Sequence, residues 1–124
     1  MSEKEKSSLE RFREAREAGN EKVMNADHLG VKRFFNLDTA AYKDAALPGS
    51  TKELLGLVAS AVQRCNDCID YHLEQCGAAG YTKEELIDAL NVALIVGGSI
   101  VIPHLRHAMH TMDLLEEEGI LESS

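Results

Sequence analysis

The sequence predicts an all-α protein, a compact bundle of about six helices. Three observations predict it. Apolar residues recur at helical spacing, as in Leu54, Leu57, Val58, Ala61 and Val62. Start and stop signals punctuate the chain: Pro48-Gly49, the capping-box patterns Ser50–Glu53 and Thr82–Glu85, Gly97-Gly98 and Gly119. No alternating pattern competes, although residues 93–102 (ALIVGGSIVI) are apolar enough to be misread as a strand.

The elements follow in order. Ser7 or Ser8 caps a charged helix from Leu9 to about Ala18, closed by Gly19-Asn20. Residues 22–46 are mostly helix-forming, with Val23, Leu29, Phe34, Phe35, Leu37 and Tyr42 as anchors and a break at Gly30 or at 36–38. After the Pro48-Gly49 turn, Ser50-Thr51-Lys52-Glu53 opens a helix carrying the Leu54–Val62 stripe. A further helix, with Asn66 as its N-cap, runs to Gly77–Gly80. Thr82-Lys83-Glu84-Glu85 opens the next, with Leu86, Leu90, Ala93 and Leu94 as its buried stripe. The last helix runs from about Ser99 to Glu118, with Pro103 in its first turns, and ESS reads as a frayed tail. Met109 and Met112 read as packing residues.

Composition bounds the function. The 124 residues read as one domain, with a charged helix in 1–20 and a core over about 22–118. A net charge of -8 argues against nucleic acid and anionic membrane surfaces, which attract basic patches. No stretch reaches the roughly 18 apolar residues of a membrane span, and the start, MSEKEKSSLERF, lacks the apolar run of a signal peptide. A cytoplasmic location is the expectation. Three cysteines are too few for a secreted disulfide scaffold, and in a reducing compartment Cys-x-x-Cys points to catalysis or metal. The charged first helix and the apolar, glycine-containing segment 92–102 leave more apolar surface than one small bundle hides, which predicts a homo-oligomer.

The chemistry lies in residues 65–72, CNDCIDYH. Cys65, Cys68, His72 and Cys76 have the types of a zinc set, but on a helix Cys68 and Cys76 stand about 12 Å apart along the axis, whereas zinc holds its ligands at ~2.0–2.3 Å. No metal and no cofactor are expected. Redox chemistry fits better. Residues three apart face each other on a helix, so Cys65 and Cys68 can reach disulfide distance. With Asn66 at the N-cap, Cys68 lies in the first turn, where unpaired backbone N–H groups and the helix dipole favour a thiolate. His72, one turn on, is placed to exchange its proton. Cys76 reads as a small buried hydrophobe. His104, His107 and His110 drift around their helix and read as surface or interface residues, with His104 a minor active-site candidate. Thioredoxin's Cys-x-x-Cys sits in a βαβ unit, and this chain offers no strands for one.

Glu53, Cys65-x-x-Cys68 and His72 together resemble the Glu…Cys-x-x-Cys-x-x-x-His pattern of alkylhydroperoxidase D-like proteins, in the carboxymuconolactone decarboxylase superfamily. The resemblance covers roughly residues 30–115. It implies an all-α fold assembled as trimers or hexamers, with the active site partly built at subunit contacts. Carried over, Cys68 is the thiolate that attacks peroxide, Cys65 resolves the sulfenic acid as a disulfide, and Glu53 and His72 form a proton relay. The implied partners are a small peroxide and a dithiol, lipoyl-type or thioredoxin-like reductant.

One position departs from the pattern. The best-known members carry a histidine immediately before the second cysteine, where this chain has Asp67, a possible modulator whose carboxylate opposes thiolate formation at Cys68. The decarboxylases of the superfamily lack the cysteine pair. Glu53 and His72 also have plainer readings, as a capping-box glutamate and a satisfied core histidine. Two other functions stand beside peroxide reduction: action on a small lactone-type metabolite, and a helical assembly protein that senses oxidation without turnover.

Overall fold

The computed structural model describes residues 5–123. They form α1 (Ser8–Asn25), α2 (Leu29–Ala41), α3 (Gly49–Val62), α4 (Asn66–Ala78), α5 (Lys83–Gly97) and α6 (Ile102–Glu117), with a short 3-10 turn, Ser99–Val101, leading into α6. Residues 93–102 are helical and turn, so the all-α reading holds across the one ambiguous stretch. Thr82 and Glu122 make an isolated bridge. None of these helices is long and apolar enough to cross a membrane. The chain divides after Ala46 into two compact units.

The first unit holds α1 and α2. Ser7 caps α1 by accepting the Glu10 N–H at 3.1 Å. The helix does not stop at Gly19-Asn20: an interior glycine costs only about 1 kcal/mol, and the flanking Glu, Ala and Lys residues favour continuation. It ends where Asp27 turns left-handed (φ 55), a conformation open to Asp at modest cost. His28 then caps α2, its Nδ1 accepting the Val31 N–H at 3.3 Å. The break thus falls at 26–28, not at Gly30 or at 36–38. The expected anchors are not buried. Leu29, Phe34 and Leu37 are 61%, 68% and 70% exposed, and α2 has no buried residue. Two helices alone cannot enclose both of their apolar faces.

In the second unit α3 packs on α4 and α5, and α6 packs on α4 and α5, closing a ring of four helices. Leu57, Ile69, Leu73, Leu86, Leu90 and Met112 fill its core. The capping box expected at Ser50–Glu53 does not form. Pro48, held extended (φ -67, ψ 153), starts the helix at Gly49, so Ser50 already lies inside it. The box at Thr82 does form. Its hydroxyl accepts the Glu85 N–H at 3.2 Å, and Glu85 Oε1 accepts the Thr82 N–H at 2.9 Å. Gly97 is a close-approach position: a Cβ there would lie 2.5 Å from Val101 Cγ2, a buried side chain. The carboxyl-terminal residues are tied down rather than frayed. The Lys83 N–H donates to the Glu122 carbonyl at 2.7 Å, and Ser123 Oγ donates to Glu116. Ser124 lies outside the described residues. Lys83 Nζ also bridges Asp113 and Glu116, both at 2.7 Å. These bonds raise the Lys83 pKa and hold both carboxyls below their usual range.

The junction of α3 and α4 is short and closely specified. Gln63 ends α3, and Arg64 adopts a left-handed conformation (φ 61). The Arg64 N–H donates to Ala61 O and the Cys65 N–H to Ser60 O, both at 3.0 Å. That is a Schellman stop with arginine where glycine is usual. Its last residue, Cys65, is at once the N-cap of α4. Asn66, read from the sequence as that cap, is the first helical residue instead. Arg64→Gly relieves the left-handed strain and is expected to stabilise the protein by about 1 kcal/mol, seen as a higher urea midpoint. A lower midpoint would show that the arginine side chain contributes more than its backbone costs.

Candidate active site

The turn just described brings two sulfurs together at the start of α4. Cys65 and Cys68 are joined as a disulfide with their Cα atoms 5.3 Å apart. Cys65 Sγ also accepts the Cys68 backbone N–H at 3.3 Å, so it serves as the helix cap. Cys68 is in the first turn, as the sequence implied, and is exposed, while Cys65 is partly buried. Asp67 is an exposed acid in the same turn.

One turn after Cys68, His72 is buried against α3. Its Nδ1 stands 2.8 Å from Glu53 Oε2, and the two side chains are 10% and 15% exposed. A carboxylate only accepts hydrogen bonds, so the ring donates through Nδ1 and its basic nitrogen is Nε2. The Tyr71 ring lies edge-on to His72 at 5.2 Å. Because the α3 box fails, Glu53 is not spent on its own helix terminus; it reaches the next helix and fixes the histidine tautomer.

Cys76, a further turn along, is fully buried and carries no disulfide. Burial, and then the nearby Glu53 carboxylate, push its pKa up to about 12. Among the described residues no three His, Cys, Asp or Glu side chains gather as a metal site.

A second polar seam, missed in the sequence, runs between α4 and α6. His104 Nδ1 pairs with Asn66 Oδ1 at 2.8 Å. His107 Nε2 donates to both oxygens of Asp70, at 2.9 and 3.0 Å, and Thr111 Oγ1 donates to Asp70 Oδ1 at 2.6 Å. Asp70 and Thr111 are buried, and no buried side-chain N or O among the described residues lacks a partner. His104 and His107 are therefore half-buried ties between α4 and α6, whereas His110 is exposed. A legible signal existed: Asn66 and Asp70 are four apart, and His104, His107 and Thr111 follow a three-and-four spacing, so each set lines one helix face.

The family model for carboxymuconolactone decarboxylases matches residues 30–115. The chain belongs to that family. Solved carboxymuconolactone decarboxylase family structures agree with the assignment. A Thermotoga maritima protein is 54% identical, with a TM-score of 0.85 over 88% of this chain and 96% of that one. A second Thermotoga maritima structure (51% identical, TM-score 0.81, covering 92% of this chain and 99% of that one) is described as a family protein that is a candidate for involvement in an antioxidative response. A Legionella pneumophila family protein is 27% identical, with a TM-score of 0.76 over 90% of this chain and 97% of that one. An uncharacterised protein of Cupriavidus necator is 27% identical over 90 residues, 73% of this chain and 80% of its own.

The thiols of this family member differ sharply in environment, and that sets an expectation. One equivalent of peroxide added to the reduced protein should give a Cys65–Cys68 disulfide and leave Cys76 as a thiol, since a group ionising near 12 stays protonated at neutral pH. Peptide mapping by mass spectrometry checks this. A disulfide involving Cys76 would contradict it.

Proposed function

We propose that this protein is a thiol-dependent peroxidase that reduces a small hydroperoxide and is recycled by a dithiol. Cys68 thiolate attacks the peroxide oxygen, the O–O bond breaks, and the alcohol leaves with a proton. Cys65 thiolate then displaces hydroxide from the Cys68 sulfenic acid, forming the disulfide and, with another proton, water. A dithiol returns two electrons, becoming a disulfide itself. The sum is ROOH plus dithiol to ROH, water and oxidised dithiol, with no cofactor or metal.

The observation that carries this reading is the buried Glu53–His72 pair, one turn from Cys68 on the helix that bears both sulfurs. A histidine held in one tautomer can take the thiol proton and return it to the departing alkoxide. The exposed Cys68 and the antioxidative candidacy of the similar Thermotoga maritima protein support the same reading. The reductant is a small dithiol, lipoyl-type or thioredoxin-like, and the cytoplasm suits a cycle that needs one. Asp67 tempers the rate by opposing negative charge on Cys68.

Assembly belongs to the same proposal. α5 exposes Val92, Ile95 and Val96 (54%, 77% and 68%), followed by Ile100 at 54%, a stripe suited to a second copy in a trimer or hexamer. Light scattering at micromolar concentration should give a mass well above 13.6 kDa. A monomer would refute it.

The activity test is peroxide consumption with excess dithiol. Glu53→Gln should slow it by about tenfold or more, while melting changes little because the amide oxygen still accepts from His72 Nδ1. Unchanged kinetics would return Glu53 to a structural role. No peroxide consumption, with a pair that still oxidises reversibly, would support a redox sensor instead.

A further inference from the structure

The two sulfurs of the pair are not equivalent. Cys65 is the cap of α4, and its Sγ already accepts the Cys68 N–H at 3.3 Å. A thiolate there would accept the same bond more strongly than a neutral disulfide sulfur does, and would sit at the positive end of the helix dipole. Cys68 is the exposed residue of the pair and Cys65 the half-buried one, and the Cys68 backbone N–H is directed at Cys65 Sγ. The neighbouring charges run the same way: Arg64 precedes Cys65 and Asp67 precedes Cys68. Asn66, between them, is tied to His104 on α6, which holds the first turn in place when the disulfide opens.

We propose that the sulfurs divide the reductive half-reaction: the incoming reductant attacks Cys68 Sγ, and Cys65 leaves as a thiolate held by the Cys68 N–H. The first thiolate of a dithiol forms a bond to Cys68 Sγ as the Cys65–Cys68 bond breaks, with the electron pair passing to Cys65. The second thiolate of the dithiol attacks its own sulfur in the mixed disulfide and releases Cys68 thiolate. Two electrons reach the protein, and the reductant departs as a cyclic disulfide. The rate of such exchange depends on access to the attacked sulfur and on the stability of the departing thiolate; here the first favours Cys68 and the second Cys65. The same capped thiolate is the one that attacks the Cys68 sulfenic acid in the oxidative half, so one interaction serves both directions. This inference rests on reading the pair as redox-active, but it does not require peroxide as substrate.

The experiment uses the full chain with its disulfide closed. Brief exposure to glutathione, an acid quench and N-ethylmaleimide capping are followed by peptide mapping. Glutathione is expected on Cys68 and maleimide on Cys65, in a ratio of about ten to one or higher. In a parallel measurement, iodoacetamide alkylation of the Cys68→Ser/Cys76→Ser and Cys65→Ser/Cys76→Ser variants should reach half-maximal rate at a pH at least about one unit lower for Cys65. Glutathione on Cys65, an even distribution, or a lower midpoint for Cys68 would overturn the assignment. Glutathione on Cys68 in a protein that does not consume peroxide would support this inference and sink the peroxidase reading alone. Peroxide turnover with glutathione on Cys65 would do the reverse.

Discussion

The Schellman stop at the end of α3 is the constraint on which the site depends. By turning Arg64 left-handed and closing on Ser60 and Ala61, it reverses the chain within a few residues. The residue that completes this stop is also the cap of α4, so Cys65 cannot move without disturbing two helix ends. Everything chemical is then placed relative to that point: Cys68 three residues on, His72 one turn beyond it, and Glu53 on the helix running back alongside. A loop of ordinary length would leave the sulfurs and the Glu53–His72 pair to find one another through a flexible connection. Here the covalent chain does the positioning, with a left-handed arginine as its local cost.

α4 is held by polar bonds on two sides. Residues two apart lie about 200° around a helix, so His72 faces α3 while Asp70 faces α6. Glu53 takes the first, and His107 with Thr111 takes the second. Apolar packing by Ile69 and Leu73 fills the space between them. Apolar contacts alone permit small rolls and slides of a helix, whereas a buried carboxylate with three donor bonds tolerates few. The first turn that carries the Cys65–Cys68 disulfide is thereby held at a fixed roll.

Much of this was legible in the sequence, and the exceptions have physical causes. The proximity of Cys65, Cys68 and His72 could be read because spacing along one helix encodes it; Glu53 entered through the resemblance to the alkylhydroperoxidase D-like pattern, and it stands 2.8 Å from His72. The six helices were readable from stripes and punctuation, and the Thr82 box formed as expected. The Ser50 box did not, because Pro48 starts the helix two residues before such a box would begin. Its failure leaves the Glu53 side chain to pair with His72, a point the spacing alone left open. The Asn66–His104 and Asp70–His107–Thr111 ties join residues 37 to 41 positions apart, and a single sequence does not say which helix faces meet. The exposed positions on α2 read as anchors because apolar periodicity marks a surface that will be covered without naming what covers it, whereas the segment 92–102 at the end of α5 read as surplus apolar surface, and Val92, Ile95 and Val96 are exposed.

The buried third thiol gives the fold an internal gauge. Cys76 reacts only when the ring of α3 to α6 opens, while the reduced pair at the start of α4 lies at or near the surface. Its labelling rate in native buffer, set against the rate in denaturant, therefore reports the population of opened molecules, as amide exchange does for a backbone group. The same helix thus carries a disulfide pair at one end and a meter of the fold's opening toward the other.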